Sequence, residues 1–339
     1  MGRKLSIAFA GAGGIARAHL EAILKLDDLN VQVTGFADPD AERCQARLRE
    51  LKAARPNADA ACFSDAVEML RSVEADAVYI VVPPFAHGPV ERYCIEHRIP
   101  FFVEKPIGLD MALVRELSQE IEQKGLLTCA GYMNRYRRGI QEARSTLQED
   151  PAVLLHGGWI GASPARVPGS WWPQKHLSGG QVVEQSTHTF DLVRYLGGEA
   201  EEVYAIAAVG FNKDIPGYTI EDASAVAIRL RSGAVASVLS CCAANGGGGG
   251  VWLHVFAQNV SFLFHGWEHS LTVLRRGEDA VDVPGEPNIF EIEDRVFLNA
   301  VLTGNGTEIR STYSDAARTL ELTLAANAAI ETGRPQALR

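Results

Sequence analysis

The sequence predicts an α/β protein: a doubly wound parallel sheet over residues 1–130, followed by an α+β domain with a mostly antiparallel sheet over 131–339. Three observations carry this. Up to about residue 130, short continuous apolar runs alternate with helical patterns, as parallel strands covered on both faces require. A glycine-rich turn follows the first of those runs directly. Beyond residue 150, runs with two-residue alternation follow one another across short turns, which implies antiparallel pairing.

In chain order, the apolar runs Leu5–Ala10, Val31–Ala37, Ala77–Val82, Ile99–Val103 and Leu126–Ala130 predict strands. Helical patterns near 15–27, 40–53, 65–73, 87–97 and 109–124 lie between or beside them. A strong helix is predicted over about 178–196. Six strand-like runs follow, at 201–209, 224–231, 234–242, 251–257, 260–265 and 269–274, separated by turn chemistry such as Arg231-Ser232-Gly233 and Gln258-Asn259. Two helices, about 288–303 and 312–332, close the pattern. The one low-complexity tract, Gly246–Gly250, reads as a mobile loop between strands.

With 339 residues the chain exceeds the usual size of one core, so two domains are the natural expectation. A net charge of −10, with no dense Lys/Arg run, argues against a nucleic-acid partner. No apolar run approaches the roughly 18 residues that span a bilayer. Arg3-Lys4 before Leu5–Ala10 looks faintly like a secretory leader, but glycines follow at once and no small-residue cleavage site does. Met1-Gly2 with Ser6 fits a myristoylation pattern, discounted because Leu5 onward reads as the first strand. Six scattered cysteines without C-x-x-C spacing read as buried free thiols, which places the chain in a reducing cytoplasm.

The turn after the first strand reads Gly11-Ala12-Gly13-Gly14-Ile15-Ala16 and opens a helix. Gly11 permits a tight turn, Gly13 lets a pyrophosphate approach the backbone, and Ala16 lets helix and strand pack closely. The helix N-terminus offers N–H groups and a positive dipole end to phosphates. Asp38 ends the second strand, where a carboxylate accepts hydrogen bonds from an adenosine ribose and repels a 2′-phosphate, favouring NAD over NADP. Asp38 also reads as a helix N-cap in Asp38-Pro39-Asp40.

Two further clusters stand out. The run Ile99–Val103 stops at Glu104-Lys105-Pro106, since proline cannot donate to a ladder and restricts the residue before it. Ligands of open α/β sheets sit outside the carboxyl ends of strands, so Lys105 is either a cation at a substrate or a surface lysine in a loop. In the helix predicted at 178–196, Glu184 and His188 are four apart and share a face, and Asp191 could join them. The pair reads either as a solvated Glu–His contact or as chemistry. Without a third ligand nearby, a metal site is not expected.

Taken together, these motifs resemble the glucose–fructose oxidoreductase, inositol dehydrogenase and rhizopine-catabolism (Gfo/Idh/MocA) family. The resemblance rests on Gly11 to His19, on Ala77-Val-Tyr-Ile-Val-Val-Pro-Pro-Phe-Ala-His87, on Glu104-Lys105-Pro106, on Gly179-Gly180 with His188-x-x-Asp191, and on Thr319-Leu with Glu331-Thr-Gly-Arg-Pro335. It implies a Rossmann domain, then a domain whose large open sheet often builds a homodimer or homotetramer. It implies hydride transfer between a nicotinamide and a secondary alcohol of a sugar, a cyclic polyol or a derivative. It maps a catalytic lysine onto Lys105, often before a cis proline bond, and a catalytic histidine onto His188. Cofactor contacts are implied at Gly11, Gly13, Gly14, Ile15, Ala16, Asp38, Pro83, His87, Glu104 and Lys105.

Under that resemblance His188 is the expected base, since its ordinary pKa of about 6.5 suits proton transfer near neutrality. Lys105 would hydrogen-bond the same oxygen and stabilise a developing alkoxide. Glu184 would orient His188 or hold a neighbouring hydroxyl, although many members carry aspartate there, and the family's Arg-Arg-Phe stands here as Asn134-Arg135-Tyr136. Substrate contacts are expected from Tyr132, Asn134, Arg135, Trp171, Trp172, Gln174, Lys175, His176, Glu184 and His188; the two tryptophans read equally as packing. His19 and His87 are expected to satisfy local backbone groups, and His97, His156, His254, His265 and His269 carry no predicted role. Redox-neutral use of NAD in glycoside cleavage or sugar-to-sugar hydride transfer, and a non-catalytic sugar sensor, are the alternative readings.

Overall fold

The computed structural model describes residues 4–162, 170–245 and 250–338. Residues 246–249 of the glycine tract, and the Met1-Gly2-Arg3 start, lie outside the described residues. The chain divides into two compact units, one running to Met133 and completed by Asn288–Ala317, the other comprising Asn134–Pro287 and the segment from Arg318. A single boundary at residue 130 does not separate them, because Asn288–Ala317 returns to the first unit.

The first unit holds six parallel strands: β1 (Leu5–Ala10), β2 (Val31–Ala37), β3 (Ala61–Phe63), β4 (Ala77–Ile80), β5 (Phe101–Val103) and β6 (Thr128–Ala130). Their order is β3-β2-β1-β4-β5-β6, so the winding reverses between β1 and β4. β1 and β2 have the predicted limits; β3, three residues at the edge and not fully buried, carries too little apolar sequence to be read as a strand. One layer of side chains crosses the sheet in register. Phe36, Phe9, Tyr79 and Phe102 stack with ring centroids 5.4, 5.0 and 5.2 Å apart. Phe297, from the returning helix Ile289–Thr303, meets Tyr79 and Phe102 edge-on at 5.5 and 5.7 Å. These rings anchor the core from which the strand ends project.

The second unit holds nine strands: β7 (Leu154–Ile160), β8 (Ala200–Ala208), β9 (Ala223–Leu230), β10 (Val235–Cys241), β11 (Gly250–Phe256), β12 (Val260–His265), β13 (Ser270–Arg275), β14 (Val281–Val283) and β15 (Gln336–Ala337). They lie in the order β14-β13-β12-β11-β7-β10-β9-β8-β15, antiparallel except for the parallel pair β7–β10. β7, at the centre, was not predicted. Its Gly157-Gly158 pair breaks the apolar pattern, yet a Cβ on Gly158 would run into the Leu239 carbonyl of β10. One face packs on helices through Phe190, Leu192, Val193, Leu322 and Ala326. On the other face Leu154, Tyr204, Ile206 and Val235 are exposed.

The predicted helix over 178–196 is three pieces: Lys175–Ser178, Gln181–Glu184 and Thr187–Gly197. Gly179 and Gly180 stand between the first two with φ of 81° and 87°, a region that favours glycine. Between the second and third, the Ser186 N–H reaches the Gln181 carbonyl, five residues back, at 2.9 Å. The helical register therefore slips by one residue between Glu184 and His188, and the two do not share a continuous helical face.

Candidate active site

In the first unit the loops at the strand carboxyl ends are laddered together. Gly11 N–H donates to Ala37 O at 2.8 Å, Val81 N–H to Ala10 O at 2.8 Å, and Glu104 N–H to Ile80 O at 2.8 Å. Gly11 has φ +102°, and a Cβ there would collide with the Val81 carbonyl, so this glycine is required by the chain itself. Among the described residues, nothing lies within 4 Å of where a Cβ on Gly13 or Gly14 would stand. The protein's own packing does not explain them, and open backbone at the start of the helix Gly14–Leu24 fits a pyrophosphate. Ile15, 44% exposed despite its apolar side chain, flanks that opening, while Ala16 is buried against the sheet.

Asp38 is buried and both its oxygens hold backbone: Oδ2 accepts from Ala12 N–H and Oδ1 from Asp40 N–H, each at 2.9 Å. It thus ties the glycine loop to the end of β2. The helix N-cap is Asp40, which accepts from Glu42 N–H at 3.0 Å, so the capping role read for Asp38 belongs two residues on. Each carboxylate oxygen keeps a second lone pair for a ribose hydroxyl.

The Lys105–Pro106 peptide bond is cis. Glu104 is buried, and its Oε2 accepts from the Lys105 N–H at 3.0 Å. Its Oε1 is 3.2 Å from His19 Nε2, and His19 Nδ1 is 2.8 Å from Asp294 Oδ1. Burial alone would lower the His19 pKa, but the two flanking carboxylates outweigh it and push it up to about 10. His87, in the loop that follows Pro83 beyond β4, sits 2.6 Å from Glu91 Oε1, and Glu91 Oε2 accepts the Gly88 N–H. His19 and His87 are thus held by carboxylates, not by the backbone groups the sequence led us to expect. Nε2 of His87 is buried with no hydrogen-bond partner among the described residues. That atom and the open glycines are the features a bound dinucleotide would complete.

In the second unit, Glu184 Oε2 accepts from the Trp172 indole N–H at 2.6 Å. Trp172 is buried with Ile215, Ile220 and Cys242, and Trp171 packs beside them, so these tryptophans form a small core. Lys175 is ion-paired to Glu331 at 3.5 Å and lies 3.8 Å from Glu221. Glu221 in turn accepts Val182 N–H at 3.0 Å and fills the space a side chain on Gly180 would need. His188 is the second residue of the helix Thr187–Gly197.

Asp191 does not join Glu184 and His188. Arg135 grips it with two bonds of 2.7 and 2.6 Å, and the Thr319 hydroxyl donates to it at 2.9 Å. The Arg135 fork is therefore spent on a buried carboxylate, with its guanidinium 4.6 Å from the Tyr195 ring centroid. Asn134 is buried and accepts from Arg137 Nε at 2.8 Å. Tyr132, also buried, belongs to the first unit. Sequence reasoning missed Asp294, Glu91 and Glu221, each a buried carboxylate holding a motif residue; only Glu91 lies close enough in sequence to have been found. Among the described residues no group of three or more His, Cys, Asp or Glu is placed to hold a metal ion. No helix among them is long and apolar enough to cross a membrane.

Comparison with known proteins agrees with this layout. Residues 5–132 match the model of an oxidoreductase family with an NAD-binding Rossmann fold, and residues 153–266 match the GFO/IDH/MocA C-terminal domain. Myo-inositol 2-dehydrogenase of Thermotoga maritima is 26% identical over 233 residues, 68% of this chain and 66% of that protein. The NAD(+)-dependent scyllo-inositol 2-dehydrogenase of Bacillus subtilis is 29% identical over 180 residues, 51% of each. The chain thus aligns with about half to two thirds of the length of these curated relatives. A levoglucosan dehydrogenase in complex with NADH shares the fold, with a TM-score of 0.86 and 17% identity, covering 99% of this chain and 100% of that one. With matching models for both parts of the chain, and the glycine loop and Glu104-Lys105-Pro106 turn in place, the chain belongs to the Gfo/Idh/MocA family of NAD-binding oxidoreductases.

Proposed function

We propose that this protein is a dehydrogenase that uses NAD in preference to NADP to oxidise a secondary alcohol of a sugar, cyclic polyol or sugar derivative. The observation that carries the reading is the Glu104-Lys105-Pro106 turn. It stands at the carboxyl end of β5, two strands from the open glycine loop of β1, so Lys105 and that loop belong to the same end of the sheet, which supports a lysine near a bound nicotinamide. The inositol dehydrogenase relatives support the substrate class.

Bound NAD would supply the hydride acceptor, held by the Gly11–Ala16 loop and Asp38, with Pro83 and His87 alongside. Lys105 donates a hydrogen bond to the substrate oxygen and stabilises negative charge there. His188 takes the hydroxyl proton, and Glu184, fixed by Trp172, holds a neighbouring hydroxyl. Arg135 and Lys175, already paired with carboxylates, shape the surroundings.

The test is purified protein with NAD or NADP and a panel of myo-inositol, scyllo-inositol, levoglucosan, aldoses and glycosides, read by reduced-nicotinamide absorbance and product analysis. Net reduced cofactor is expected, with NAD binding at least about tenfold tighter than NADP. Product without net reduction would replace this reading with redox-neutral use of NAD; binding without any turnover would replace it with a sensor. Lys105→Ala and His188→Ala should each lower kcat by roughly 10²–10⁴-fold while NAD affinity stays within about twofold.

The exposed sheet face supports a homo-oligomer. Tyr204 and Ile206 are exposed on β8, and Leu154 and Val235, paired in register, are exposed on β7 and β10. Light scattering should show a dimer or tetramer, and Ile206→Lys should shift it toward the monomer.

A further inference from the structure

We propose that His19 and Asp294 are positioning residues for Lys105, acting through Glu104, so that a buried Asp294–His19–Glu104 chain sets the geometry of the reactive turn. This inference rests on the reading of Lys105 as the group that meets the substrate oxygen.

The chain of contacts is continuous and directional. Asp294 Oδ1 holds His19 Nδ1 at 2.8 Å, His19 Nε2 holds Glu104 Oε1 at 3.2 Å, and Glu104 Oε2 holds the backbone N–H of Lys105 at 3.0 Å. Asp294 and His19 are fully buried, and Glu104 nearly so. On the far side of Glu104 a Cβ at Gly131 would stand 2.7 Å from its carboxyl carbon, so the loop after β6 closes on the carboxylate and leaves it one position.

Stability alone does not require this arrangement. His19 is set among rings, with centroids of Phe102, Phe290 and Tyr79 at 4.8, 5.2 and 5.4 Å. An apolar side chain would fill that space, and buried ion pairs are often no better for stability than the apolar groups that could replace them. Three ionisable groups placed in an aromatic layer, ending on the amide of one lysine, instead fix a position. Displacement of a catalytic group by an ångström can cost about a hundredfold in rate. Asp294 comes from the returning helix Ile289–Thr303, so the turn is held by a segment nearly two hundred positions further along the chain.

Two substitutions separate positioning from mere packing. In His19→Gln the amide nitrogen lies near where Nε2 was and keeps a donor for Glu104; in His19→Asn it lies near Nδ1, so the link to Asp294 is kept and the link to Glu104 is lost. Three quantities are measured on the full chain: kcat and KM with myo-inositol, NAD affinity by calorimetry, and hydrogen exchange at the Lys105 amide by NMR. The expected result is a kcat loss of about tenfold in His19→Asn, with NAD affinity within about twofold and faster exchange at the Lys105 amide. His19→Gln should stay within about threefold of the parent kcat. Equal losses in both variants that follow their melting temperatures, or an unchanged Lys105 amide in His19→Asn, would overturn the proposal. The amide measurement needs no substrate. A parent protein inert toward every polyol would therefore sink the dehydrogenase reading, while the amide would still decide this one.

Discussion

At the scale of residues, two buried histidines are driven in opposite directions. His19, between Asp294 and Glu104, holds its proton to about pH 10 in the folded state against about 6.5 when unfolded. Its contribution to stability is complete below pH 6.5 and disappears as pH rises through 10. His269 is buried beside the Arg137 guanidinium, and burial first, then that charge, lowers its pKa to about 4. The folded protein therefore resists protonating it, and its contribution is complete above pH 6.5 and lost as pH falls through 4. Each shift is worth a few kcal/mol at most. Melting temperature measured from pH 4 to pH 10 should fall on both sides of neutrality. His19→Gln should flatten the alkaline limb, and His269→Asn, whose side chain tolerates the φ of 51° at that position, the acid limb. An alkaline limb unchanged in His19→Gln would mean that the imidazole is not charged in the fold.

At the scale of elements, the candidate site was legible where a motif is local. The glycine loop, the end of β2 and the Glu104-Lys105-Pro106 turn each carry their meaning within a few residues, because a strand end, a proline or a helix start is a local event. What the sequence hid is non-local. His19 and Asp294 are 275 positions apart, and no periodicity links them. The slip at Ser186 was equally hidden, since Glu184 and His188 have ideal spacing for one helical face and only a backbone bond to Gln181 removes it. Asp191 shows the same limit, because its spacing from His188 suggested shared chemistry while its partners are Arg135 and Thr319. Arg135 and Asp191 brace the short helical turn Met133–Tyr136 against the helix Thr187–Gly197 that carries His188. Arg135→Leu would leave a buried carboxylate without its bidentate partner, which costs about 3–5 kcal/mol. Urea denaturation should register that loss, and a midpoint close to the parent's would show that Arg194, whose Nη1 lies 3.9 Å from Asp191, suffices.

At the scale of the whole molecule, the strand pattern announces two sheets, and the path between them is what composition conceals. After β14 the chain leaves the second unit: Asn288–Ala317 joins the first, and the segment from Arg318, with β15, belongs to the second again. Its helix Ile289–Thr303 gives that unit Phe297 and Leu298, both fully buried, as well as Asp294. Burying two such side chains contributes about 3–6 kcal/mol, a large share of the 5–15 kcal/mol that holds a typical domain together. The nucleotide-binding half is thus not a contiguous domain, although all its sheet strands and the whole glycine fingerprint lie before residue 133. A fragment of residues 1–133 should lack a cooperative thermal transition and bind NAD weakly or not at all. The same fragment joined by a flexible linker to residues 288–317 should regain both, as seen by circular dichroism and calorimetry. A cooperative transition in the short fragment at the temperature of the longer one would show that the returning helix only covers a core that is already complete.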